Sequence, residues 1–124
     1  MSVLVDSDVL IEVSRERNHD ILIKWTQLAE SGRAILCSPV SSAELWAGAL
    51  PREDEATAKL FSSLLCVQID YETGRQAGVY LGQYGKSHGL QIGDALIAAA
   101  AVMNRAELWT RNRRHYPMKE LSFY

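Results

Sequence analysis

The sequence predicts an α/β fold: a central parallel sheet with helices on both faces, joined by right-handed crossovers. Two observations carry this. Short apolar runs alternate with longer helical segments along the chain, and the first run, Val3 to Val5, ends on an acid, Asp6. A buried parallel strand is normally a near-continuous stretch of Val, Ile and Leu, and a charge buried in it is costly. The acid becomes tolerable at the carboxyl edge of the sheet, where open α/β sheets bind their ligands. A chain of 124 residues is long enough for a core of its own, so residues 1–124 are read as one domain.

The elements follow in order. Ser2 to Val5 is the first strand, and Asp8 to about Glu16 a helix. A polar break at Arg17-Asn18-His19 precedes a second helix, Ile21 to Glu30, with Ile21, Trp25 and Leu28 on one face. Gly32 ends it in a left-handed cap. Ala34 to Ser38 is the second strand, and Ser41 to Leu50 a helix broken by Pro51. Arg52-Glu53-Asp54-Glu55 opens a fourth helix running to about Leu65, and Cys66 to Ile69 is the third strand. Asp70 caps a helix from Tyr71 to about Lys86 that carries Gly74, Gly78, Gly82 and Gly85. An interior glycine costs about 1 kcal/mol relative to Ala. The stripe is therefore expected to pack closely, against the sheet as the plainer reading or against a second subunit. Asp94 to Asn104 is apolar all round and should be a buried central helix. Ala106 to Thr110 is the fourth strand, Arg111 to His115 a basic loop, and Leu121 to Tyr124 a short fifth strand.

The composition is that of an ordinary soluble protein, 48% hydrophobic and 23% charged, with a formal net charge of -2. The charge is uneven. Residues 1–104 hold eight basic and thirteen acidic side chains, whereas 105–124 hold five and two. The last twenty residues can therefore hold a polyanion. Cys37 and Cys66 sit in apolar strand-like runs without metal-ligand spacing and are read as reduced core thiols of a cytoplasmic protein. Two aspartates interrupt the first apolar run and no basic region precedes it, so no signal peptide is expected. Nor does any run reach membrane-spanning length.

Three acids stand inside otherwise apolar or small-residue stretches: Asp6, Glu44 after the second strand, and Asp94 at the head of the alanine-rich helix. The topology brings all three to one sheet edge, and Asn112 after the fourth strand can add an oxygen. Gathered carboxylates raise one another's pKa unless a cation sits among them. Oxygen ligands suit Mg²⁺ or Mn²⁺, which activate water for phosphodiester hydrolysis. Each acid also has a plainer account. Ser41-x-x-Glu44 spells a capping box, which fits Glu44 better than metal binding when it is taken alone. Asp94 equally suits a helix dipole, and Asp8 could cap the first helix. Asp6 is hardest to explain away, because it closes a strand. Arg111, Arg113 and Arg114 are either a solvated loop or phosphate contacts. His115 lies in the same loop. Trp46 reads as a core or partner contact, and Trp25 and Trp109 as core.

Other chemistries fit poorly. Gly85-Lys86-Ser87 resembles the end of a phosphate-binding loop, but it closes a helix and Tyr80 stands where the leading glycine belongs. Neither a nucleophile elbow nor a dinucleotide fingerprint is present. A phosphoacceptor receiver domain also clusters acids after its first strand. It normally has a lysine after its last strand, where this chain has Arg111 and no lysine before Lys119.

Four segments together resemble the PIN-domain ribonucleases, specifically the VapC-like toxins of type II toxin–antitoxin pairs. They are Val3-Leu4-Val5-Asp6-Ser7-Asp8-Val9-Leu10-Ile11, Ser38-Pro39-Val40-Ser41-Ser42-Ala43-Glu44-Leu45, Ile92-Gly93-Asp94-Ala95-Leu96-Ile97-Ala98-Ala99-Ala100-Ala101 and Leu108-Trp109-Thr110-Arg111-Asn112-Arg113-Arg114-His115-Tyr116. The resemblance implies a three-layer α/β/α sandwich with strand order 3-2-1-4-5. It implies a Mg²⁺- or Mn²⁺-dependent endoribonuclease whose metal is carried by Asp6, Glu44 and Asp94. It implies a homodimer, and a cognate antitoxin that covers the site. On this reading Asn112 and Ser7 assist, and Arg111, Arg113 and Arg114 hold RNA phosphates. Two positions depart from the commonest pattern: Asp8 where Asn is frequent, and Asn112 where many members have a fourth Asp. The alternative is a non-catalytic module that keeps the fold and binds protein.

Overall fold

The computed structural model describes residues 1–124. Strand β1 (Val3–Val5) leads into α1 (Ser7–Arg15) and α2 (His19–Glu30). Strand β2 (Ile35–Cys37) is followed by α3 (Pro39–Gly48), a 3-10 turn (Pro51–Glu53) and α4 (Asp54–Ser62). Then come β3 (Leu65–Cys66), α5 (Tyr71–His88), α6 (Ile92–Met103), β4 (Glu107–Trp109) and a second 3-10 turn (Arg113–His115). No helix is long and apolar enough to cross a membrane.

The sheet is parallel throughout, in the order β3-β2-β1-β4. The expected fifth strand is a single parallel bridge, Leu108 to Phe123, flanked by the Leu108 N–H donating to Ser122 and the Tyr124 N–H to Leu108. It lies beside β4, so its place in the order is as expected and only its length is not.

Alternation along the strands builds three layers. Leu4, Leu36 and Leu108 face one way, into a core with Ala77 and Tyr80 of α5 and the buried run Ala95 to Ala101 of α6. Val3, Val5, Cys37 and Trp109 face the other way, onto Val9, Leu10 and Val13 of α1, Leu28 of α2 and Leu45 of α3. The alanine-rich helix is the buried central helix expected: its small side chains let it lie close to the sheet.

Several boundaries move, each for a physical reason. α3 begins at Pro39 because Ser38, not Ser41, is its cap: Ser38 Oγ accepts from the Ser41 N–H at 3.3 Å. Proline at the first helical position needs no N–H partner. β3 is two residues long and exposed at the sheet edge, so Cys66 is an exposed thiol, not a core one. Cys37 is the buried partner, in register with it. Burial, with Cys66 alongside, pushes the Cys37 thiol up to about 12. The glycines at 74, 78, 82 and 85 do not pack within the chain: a methyl group added at any of them would meet no atom within 4 Å. They lie on the outer face of α5. Trp109 is buried, Trp25 packs against its core, and Trp46 is exposed.

Candidate active site

The site begins where β1 ends. Asp6 is 7% exposed and takes extended backbone as the N-cap of α1, so it closes the strand and opens the helix at once. Its Oδ1 accepts from the Ser7 N–H at 2.8 Å. Its Oδ2 accepts from Thr110 Oγ1 and from the Tyr116 hydroxyl, both at 2.8 Å. Thr110 reaches it because β4 lies next to β1 and ends level with it.

Asp8 stands two residues on, in the first turn of α1. Its Oδ2 accepts from the Arg111 N–H at 3.1 Å and lies 3.4 Å from Thr110 Oγ1. One hydroxyl has one proton, and the shorter contact gives it to Asp6. Asp8 Oδ1 is sealed from solvent with no hydrogen-bond partner. Burial first, and the Asp6 charge second, push the Asp8 carboxyl up to about 6.

Glu44 approaches from the other side. With Ser38 as the cap, Glu44 falls in the second turn of α3, too far along to close a capping box, and the capping explanation fails for it. Its Oε1 is 3.0 Å from Ser7 Oγ, which is itself 2.8 Å from Ser41 Oγ. A carboxylate only accepts, so Ser7 donates to Glu44 and accepts from Ser41. Beside Glu44 a groove opens between α1, α3 and α4, lined by Ile11, Arg15, Leu45, Gly48 and Glu53.

Asp94 does cap. Its Oδ2 accepts from the Gln91 N–H at 3.3 Å in the first turn of α6. The same oxygen is 3.4 Å from His115 Nε2. The head of α6 sits against α3, with Gly93 facing Val40 at 3.5 Å from where a side chain would begin. The Tyr116 hydroxyl lies within the field of Asp94 as well as bonding to Asp6. Burial, and the charges of Asp6, Asp94 and Asp8 in that order, raise that hydroxyl far above the ordinary tyrosine value.

The structure thus brings Asp6, Ser7, Glu44 and Asp94 to one edge, with Asp8, Thr110, His115 and Tyr116 among them. No three His, Cys, Asp or Glu side chains are drawn close enough to form a ready metal cage. Asn112 is exposed, and it bonds into the cluster through its backbone alone, its N–H donating to Thr110 Oγ1 at 3.1 Å and its carbonyl accepting from the His115 N–H. The basic residues divide. Arg111 pairs with Glu12 at 3.2 Å, and Arg113 lies over Phe123 and donates to the Tyr124 carbonyl. Arg114 is exposed and takes part in no ion pair. Sequence reasoning missed Thr110 and Tyr116. Thr110 carried a signal, a hydroxyl at the carboxyl end of a strand beside Asp6. Tyr116 carried none, because its reach depends on the path after the 3-10 turn.

The donor set fits a hard divalent cation. The donors at this edge are oxygens, Thr110 has one proton for two neighbouring carboxylates and gives it to Asp6, and one buried carboxylate oxygen of Asp8 is unpaired.

Comparison with known proteins agrees with this architecture. The PIN domain family model matches residues 3–121. Ribonuclease VapC10 of Mycobacterium tuberculosis is 34% identical over 119 residues, spanning 95% of this chain and 88% of that protein. Ribonuclease VapC19 of the same organism is 32% identical over 117 residues, spanning 93% and 92%. The VapBC2 structure from Rickettsia felis, bound to a DNA fragment from its promoter, superposes with a TM-score of 0.80 at 20% identity, covering 100% of this chain and 98% of that one.

Proposed function

The chain belongs to the PIN domain family, alongside the VapC ribonucleases, and on that premise we propose that it is the endoribonuclease toxin of a toxin–antitoxin pair, hydrolysing RNA phosphodiester bonds with a bound divalent ion. The observation that carries the proposal is the uncompensated negative charge at the sheet edge. Asp6 and Asp8 are pressed together with one shared hydroxyl and one orphaned oxygen. Like charges held this close destabilise each other, and a cation between them relieves that cost.

Asp6, Glu44 and Asp94 are the proposed carriers of a Mg²⁺ or Mn²⁺ ion, which would supply water activation and charge neutralisation at the scissile phosphate. The remaining roles belong to the chain. Ser7 turns Glu44 towards the cluster. Thr110 and Tyr116 hold Asp6. Asn112 offers its side-chain amide at the rim. Arg114, with Arg111 and Arg113 in the same loop, binds RNA phosphates as the unpaired guanidinium of that loop. A protein antitoxin is the proposed partner, as the Rickettsia felis relative is a VapBC assembly. Work as a cytoplasmic homodimer completes the proposal, and the open glycine face of α5 supports the dimer.

The test is RNA cleavage by the purified chain with Mg²⁺ or Mn²⁺, with EDTA, and by Asp94→Asn prepared identically. Cleavage lost in both EDTA and the variant is expected. Cleavage that persists in either would remove the carboxylate-metal site. A second reading, a non-catalytic protein-binding module, draws on the exposed Trp46 and the open face of α5. It predicts neither cleavage nor divalent-ion binding.

A further inference from the structure

Tyr116 is buried at 4% exposure in the core beneath α6, yet its hydroxyl reaches out of that core to Asp6 Oδ2 at 2.8 Å. Thr110 Oγ1 donates to the same oxygen, and the Ser7 N–H donates to Oδ1. A carboxylate has about four lone-pair sites, two on each oxygen. Both sites on Oδ2 are filled and one on Oδ1. A single acceptor direction is left, on Oδ1.

We propose that Tyr116 is a positioning residue that, with Thr110, locks the Asp6 carboxylate so that it offers a divalent cation one oxygen in one direction. The inference rests on Asp6 being a metal ligand, as proposed above. Hydrogen bonds to an ionised acceptor are about twice as strong as neutral ones, so two of them on one oxygen fix the plane of the carboxylate. A carboxylate only accepts, so the tyrosine is the donor in this contact. Without it, Oδ2 would keep one donor and the plane of the carboxylate would be held less firmly. Partners of this kind change metal affinity by about 10- to 100-fold in known sites.

The experiment is calorimetric titration of Mn²⁺ into the full chain in metal-free buffer, for wild type, Tyr116→Phe, Thr110→Val and Thr110→Ser. Tyr116→Phe and Thr110→Val are each expected to bind Mn²⁺ about 10-fold more weakly or worse, and Thr110→Ser, which keeps the hydroxyl, to bind as wild type does. RNA cleavage by Tyr116→Phe should recover as Mn²⁺ is raised, which a merely structural lesion would not do. Wild-type binding with both donor-lacking variants unchanged overturns the positioning role alone. Tighter binding by Tyr116→Phe overturns it too, since the hydroxyl would then be competing with the ion. Wild type that binds no Mn²⁺ overturns the metal reading and this inference together. If Tyr116→Phe does not fold, Thr110→Val and Thr110→Ser decide the matter on the same oxygen.

Discussion

Asp8 Oδ1 is closed to solvent and accepts nothing, while its other oxygen has one backbone N–H and a distant hydroxyl. Burial and the neighbouring Asp6 hold its carboxyl at about 6, against an ordinary 3.8. Between those values the folded chain keeps a proton that the unfolded chain has released. Stability therefore falls as pH rises through that window and stays reduced above it. In EDTA, Asp8→Asn is expected to melt higher than wild type at pH above 7 and to lose most of the pH dependence between about 4 and 6. Added Mn²⁺ should raise the melting temperature of wild type more than that of the variant. Thermal melts in EDTA and in Mn²⁺ check both. A variant that melts lower than wild type at neutral pH in EDTA would mean Asp8 is already compensated. The sequence marks this acid as a capping residue and as a departure from the commonest family pattern, and neither shows its strain. Its strain comes from Asp6 and from the chain at 110–111, brought to it by strand pairing.

At the level of elements, the apolar runs and the glycine, proline and aspartate punctuation were enough to find nearly every helix and strand. The strands ran long, because an apolar run continues past the few residues that a neighbour pairs. Ser41-x-x-Glu44 predicts a start for α3 three residues late; Pro39 directly after Ser38 is the signal that marks the true one. The glycine stripe of α5 predicts close packing, against the sheet as the plainer reading or against a second subunit, and within the chain nothing packs on it. Spacing shows which residues share a face, and says nothing of what lies opposite. Since a side chain at Gly78 would meet no atom within 4 Å, Gly78→Ala is expected to stabilise the isolated chain by roughly 0.5–1 kcal/mol. Urea denaturation at low protein concentration measures it. A loss of stability that grows with protein concentration would instead mean that another copy's backbone lies on that face.

At the scale of the molecule, a chain of net charge -2 has to hold a polyanion beside its own acids. Charge separation resolves this: the acids lie at the strand ends, and the surplus of basic residues lies in the last twenty. Composition made that surplus legible, but the structure shows that its members are not equivalent. Arg111 already answers Glu12, Arg113 is committed to Phe123 and Tyr124, and Arg114 is free. Each phosphate neutralised on a single strand adds about 0.7 to the slope of log affinity against log salt. In an Asp94→Asn background, which prevents cleavage, Arg114→Ala is therefore expected to lower that slope by about 0.7 and to weaken binding of unrelated RNA sequences alike. Arg111→Ala should weaken binding with a smaller change of slope, because its main effect is to expose the Glu12 charge. Fluorescence anisotropy over a series of salt concentrations separates the two. Equal slopes for wild type and Arg114→Ala would take the free guanidinium out of the RNA path and leave the phosphate contacts to other residues.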